Sequence, residues 1–100
     1  MSQLGKTVLK KVGGREVVCR ELTVAGVRQL IQGQPTNDLV GEVLFEDVRL
    51  VDLEVLTNLT MADVEDMLPS DLRTIVDACK EANPDFFAML ARLYKQRPAA

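Results

Sequence analysis

The chain has 100 residues, 47% of them hydrophobic and 27% charged, with no histidine and two cysteines. That length supports one domain, placed at 1–100, and the apolar content is ample for its core. The absence of histidine removes the commonest general base and the commonest metal ligand together, and no apolar run approaches the length of a membrane span. Net charge is −3 but unevenly spread. Residues 1–30 hold six basic and two acidic groups, hence +4. Residues 36–85 hold three basic and thirteen acidic groups, hence −10, and the segment from Phe86 carries Arg92, Lys95 and Arg97. Solvated faces and helix-dipole matching are one reading of this division. Complementary ends suited to head-to-tail self-association, or to a basic partner, are the other. The acidic middle argues against nucleic acid as a ligand.

The first element is a β-hairpin over residues 5–22. Thr7–Val12 and Arg15–Leu22 flank Gly13-Gly14, and two adjacent glycines favour a primed two-residue turn. That register pairs Val12 with Arg15, Lys11 with Glu16, Lys10 with Val17, Leu9 with Val18 and Val8 with Cys19. Lys11 then faces Glu16, and Lys6 faces Glu21. A lone hairpin is marginal in water and leaves its edges unpaired, so helices should cover one face. The open edge offers a surface for strand addition.

Residues 23–96 read as helical. Thr23 is placed as an N-cap, followed by Val24, Val27, Leu30 and Ile31 at helical spacing until Gly33 and Pro35 break the pattern. A second helix starts at Asn37 or Asp38 with Leu39, Val40, Val43 and Leu44 as its apolar stripe. Residues 45–59 suit either a helix, through Val48, Val51, Val55 and Leu59, or a strand; helix is favoured, with a break near Asp47 or Asn58. Thr60 and Asp63 form a capping pattern for a short helix that ends before Pro69. Ser70 is assigned as the next cap, ahead of Leu72, Ile75, Val76, Cys79 and Ala82. Asn83-Pro84 opens the last helix, with Asn as cap and Pro in the first turn. Residues 97–100 are expected to be a frayed tail. The fold class is α+β: an N-terminal hairpin followed by a bundle of about four to five helices.

Catalytic constellations fail one by one. Of the two serines, Ser2 and Ser70, neither has a base to activate it. Cys19 falls in a strand and Cys79 on an apolar stripe, so packing outweighs reactivity for both. The acidic pairs Glu46-Asp47 and Glu65-Asp66 lack the spaced ligands of a calcium loop. Gly13-Gly14 precedes a strand, not a phosphate-binding helix. The basic residues of the hairpin have no aromatic among them on which bases would stack. We therefore expect no enzyme, no cofactor and no metal. No leader-like apolar stretch opens the chain, so a cytoplasmic location is expected. Protein contact remains. Phe86, Phe87, Leu90 and Tyr94 form a candidate protein-binding surface; adjacent helix residues point about 100° apart, so either one phenylalanine enters the core while the other stays partly outside, or both are core in this aromatic-poor chain.

Several short segments carry a resemblance. Glu21-Leu22-Thr23-Val24, Leu56-Thr57-Asn58-Leu59-Thr60 with Asp63-Val64, Pro69-Ser70-Asp71-Leu72 and Ala82-Asn83-Pro84-Asp85-Phe86-Phe87 resemble the small tail assembly chaperones of long-tailed phages and prophages. The likeness runs from about Glu21 to Leu90. It implies a non-enzymatic chaperone without cofactor that binds the helix-rich tape-measure protein before tail-tube subunits polymerise around it. The alternative is a structural tail or head–tail completion protein that oligomerises in the particle.

Overall fold

A computed structural model describes residues 6–34 and 36–96, the last three of them by their backbone alone. Strands β1 (Thr7–Val12) and β2 (Arg15–Arg20) form an antiparallel hairpin. Its register pairs Val8 with Cys19, Leu9 with Val18, Lys10 with Val17, Lys11 with Glu16 and Val12 with Arg15, as the Gly-Gly turn requires. Gly13 and Gly14 have φ of +56° and +77°, the left-handed conformations of a primed turn, which side chains other than glycine adopt at a cost.

Six α-helices follow among the described residues. They are α1 (Val24–Ile31), α2 (Leu39–Val43), α3 (Leu53–Leu56), α4 (Met61–Glu65), α5 (Pro69–Ala82) and α6 (Pro84–Gln96), with a 3-10 turn over Leu50–Asp52 leading into α3. The fold is α+β, a hairpin followed by helices. The short helix at α4 is where the Thr60 cap put it, and the count reaches six because the stretch after Val48 is reduced to a 3-10 turn and the single turn α3. The stretch 45–59 is neither one helix nor a strand. It is loop, 3-10 turn and α3 in succession, and Thr57 ends it in a single antiparallel bridge to Cys19. The proposed tail at 97–100 lies outside the described residues.

The core is the hairpin's inner face against α5. Val12, Val17 and Cys19 point inward and meet Leu72, Ile75, Val76 and Cys79, all buried, with Leu53, Leu56 and Leu59 closing one side. Burying an aliphatic side chain of this size stabilises by about 1.5–3 kcal/mol relative to exposure. This one layer contact therefore dominates the stability. The outward-facing Leu9 is exposed. The edge of β2 is occupied: the N–H of Val18 donates to Asn58 Oδ1 at 3.0 Å, and Arg20 Nη2 donates to the carbonyl of Thr57 at 3.0 Å. Strand addition is thus confined to the edge of β1, beside which no other strand lies among the described residues.

Three caps behave differently from one another. Thr60 and Asp63 form the reciprocal capping box, with the N–H of Asp63 donating to Thr60 Oγ1 at 3.2 Å and the N–H of Thr60 to Asp63 Oδ2 at 3.0 Å. Ser70 is not a cap. α5 already begins at Pro69, whose fixed φ and missing N–H suit the first turn, and the N–H of Leu72 donates to the carbonyl of Leu68 at 3.0 Å. Asn83 stands at the start of α6, where its carbonyl accepts from the N–H of Phe87 at 3.1 Å, but its side chain serves the hairpin. Its Oδ1 accepts from the N–H of Leu22 at 2.8 Å, and its Nδ2 donates to the carbonyls of Arg20 and Cys79 at 2.9 and 3.1 Å.

Candidate protein-binding surface

Helix α2 is built inside out. Its one buried residue is Gly41, whereas Leu39, Val40 and Val43 are 74%, 59% and 64% exposed. The apolar spacing that marks a core-facing stripe here marks a face turned to solvent. Gly41 is covered by the Asp38 side chain, which folds back over this turn and fills the space a Cβ would need. Helix α1 is related: none of its residues is buried, and Val24 and Ile31 are exposed. The arm from Val24 to Val43 thus adds almost nothing to the core beyond the partial packing of Leu30.

Polar bonds hold the arm instead. Arg49 Nη1 donates to the carbonyl of Gln34 at 2.8 Å, while Nη2 and Nε reach Asp52 at 3.0 and 3.4 Å. The hydrogen bonds to Asp52 raise the Arg49 pKa above its ordinary value against the opposing effect of burial, so the guanidinium is a permanent cation. Glu42 Oε2 accepts from the hydroxyl and the N–H of Thr36 at 2.8 and 3.0 Å and lies 3.7 Å from Arg49 Nη1. The hydroxyl bond first, then the backbone bond, hold the Glu42 carboxyl below its usual range despite some desolvation, with Arg49 adding a smaller pull.

A groove of about 510 Å³ opens beside α2, floored by Leu30, Phe45, Phe86 and Leu90 and edged by Glu42 and Glu46. A second groove of about 410 Å³ lies on the other flank of the α1–α6 crossing, with Val27, Phe86 and Met89 among its walls. Of the four residues singled out from sequence, Phe86 is buried at 7% exposure and forms the partition between the grooves. Phe87 is half-buried and packs on the core, its ring edge-on to Phe86 with centroids 5.0 Å apart. Leu90 lines the first groove. Tyr94 falls in α6, and its side chain lies outside the described residues. The apolar face of α2 was legible only as a stripe.

Among the described residues no three cysteine, aspartate or glutamate side chains gather to share a metal ion, and no helix is long and apolar enough to cross a membrane. Cys19 and Cys79 are buried free thiols in contact with each other. The Cys19 thiol donates to the carbonyl of Ile75 at 3.8 Å, and the neighbouring Cys19 thiol, reinforced by burial, pushes the Cys79 thiol well above its ordinary pKa. Comparison of the chain with protein-family models, with curated proteins and with solved structures finds no match.

Proposed function

We propose that this protein is a non-enzymatic tail assembly chaperone of a phage or prophage, acting in the host cytoplasm. It covers apolar helix stripes of the tape-measure protein until tail-tube subunits polymerise around it. The observation that carries the binding reading is the outward-turned α2, with Leu39, Val40 and Val43 exposed beside a groove that reaches Leu90. Scattered surface aliphatics need no explanation, but Leu39, Val40 and Val43 exposed together on one short helix form a patch. Covering such area is favourable by roughly 25 cal/mol per Å² before association costs. That suits a partner that must later be released. The sequence resemblance supplies the partner's identity.

The test is co-expression with a tape-measure protein encoded beside this chain. The expected result is that the tape-measure protein becomes soluble and co-purifies with the wild-type chain but not with a Leu39→Ser, Val40→Ser, Val43→Ser triple variant. No gain in its solubility overturns the reading. A second reading, a structural completion protein that oligomerises, is favoured by the division of charge between a basic start and an acidic middle. Recovery of the chain in purified particles would select it.

A further inference from the structure

We infer that the α2 face receives a basic amphipathic helix, one whose apolar stripe is flanked by lysine or arginine; this rests on the binding reading above and adds the chemistry of the partner. From Gln29 to Val48 the sequence contains no basic residue, yet it holds four carboxylates. Three of them, Asp38, Glu42 and Glu46, alternate with the exposed Leu39, Val40 and Val43 along the same short stretch. Two other carboxylates nearby are already matched, Asp47 by Lys80 and Asp52 by Arg49. Glu42 is partly engaged by Thr36 and Arg49. Asp38 and Glu46 have no ion-pair partner among the described residues. An apolar patch flanked by two unmatched carboxylates, with Glu42 held by Thr36 and by the Arg49 that also lines the groove, selects a partner with the opposite arrangement and repels nucleic acid and anionic membrane alike.

The shape of the site narrows the occupant further. The patch and its groove are made of side chains from helices and a loop, with no strand edge beside them. An extended peptide lying there would leave its backbone N–H and C=O groups without partners, whereas a helix satisfies its own. A helix also places apolar residues in one stripe and charges on both sides of it at the i, i+3 and i+4 positions.

The experiment uses the full chain and two synthetic helical peptides of about 18 residues, five turns, sharing one leucine stripe, flanked by lysine in one and by glutamate in the other. Binding is followed by fluorescence anisotropy, and the site is located by amide chemical shifts. The lysine peptide is expected to bind about tenfold tighter at low salt, with the gap closing as salt rises, and to perturb residues 38–46. An Asp38→Lys, Glu46→Lys variant with unchanged melting temperature should invert the preference. Equal binding of both peptides, absence of binding, or perturbations confined to the hairpin overturns the inference. So does a concentration-dependent self-association that the α2 serine variant abolishes, because a second copy would then be the occupant. If the peptide preference holds while the tape-measure protein stays insoluble, the chaperone reading falls and this one stands. If co-expression succeeds while the preference is absent, only this one falls.

Discussion

The side-chain amide of Asn83 donates to the backbone carbonyl of Arg20 at 2.9 Å, tying the start of the last helix to the end of the hairpin. Two further bonds, from the N–H of Leu22 and to the carbonyl of Cys79, occupy its oxygen and its second amide hydrogen, and the residue is almost fully buried. Removing the amide strands the N–H of Leu22 and the carbonyl of Arg20, while the carbonyl of Cys79 keeps the backbone N–H of Asn83 at 2.9 Å. Asn83→Ala should therefore cost about 2–3 kcal/mol of unfolding free energy, read from urea denaturation. Asn83→Asp should be worse above its carboxyl pKa, since a carboxylate would face two carbonyl oxygens. A loss below about 0.5 kcal/mol for Asn83→Ala would show that water replaces the amide.

The hairpin turn offers a backbone prediction. Gly14→Ala should destabilise by about 1 kcal/mol, because the φ of +77° is costly with a Cβ even though nothing lies within 4 Å of it. Gly13→Asn should be close to neutral, since Asn-Gly is the preferred pair for this turn. Equal losses for the two variants in thermal melts would show that the cost is not conformational.

Acid should weaken the protein through Asp63 and Glu42. The N–H of Thr60 chiefly, with its hydroxyl and Arg15 assisting, lowers the Asp63 pKa below the ordinary 3.8, and Thr36 lowers Glu42 below 4.5. Depressed folded-state values contribute stability above the unfolded pKa, which is lost as pH falls through the folded one. The melting temperature should accordingly hold between pH 7 and about pH 5 and decline below that. In an Asp63→Asn, Glu42→Gln variant the melting temperature starts lower at pH 7 and the acid decline is shallower. Parallel curves for the two proteins would refute the assignment.

The two adjacent phenylalanines separate core from surface. Phe86→Ala should cost about 3 kcal/mol, in the range for a buried ring. Phe87→Ser should cost less, since that ring is only half-buried on the core, and under the chaperone proposal it should weaken capture of the partner only as far as it lowers the melting temperature. Loss of partner capture by Phe87→Ser at an unchanged melting temperature would show that the exposed part of that ring belongs to the binding surface.

Local chemistry made some of this fold readable in the sequence. Two glycines set the hairpin register residue by residue, and Thr60 with Asp63 set a helix start, because each depends only on near neighbours. Asn83 was legible as the residue before a helix, but its side chain is spent on Leu22 and Arg20, a choice made by tertiary packing. Pro69 overrode Ser70 for a local reason, since a proline in the first turn moved the cap two residues outward, to Leu68. The periodicity of Leu39, Val40 and Val43 said that α2 has an apolar side and nothing about which way that side faces. The candidate surface was therefore the least legible part, as binding faces follow the same spacing as buried ones.

The tie between the hairpin and the α5–α6 junction also orders events at the ribosome. The strands emerge well before α5, yet the inner residues Val17 and Cys19 owe their burial to Ile75, Val76 and Cys79. At synthesis rates of about 5–20 residues per second, the nascent hairpin waits seconds with its apolar face and strand edges bare. Lysines at positions 6, 10 and 11 lie along that nascent strand. Their mutual repulsion discourages neighbouring chains on a polysome from pairing edge to edge before α5 arrives.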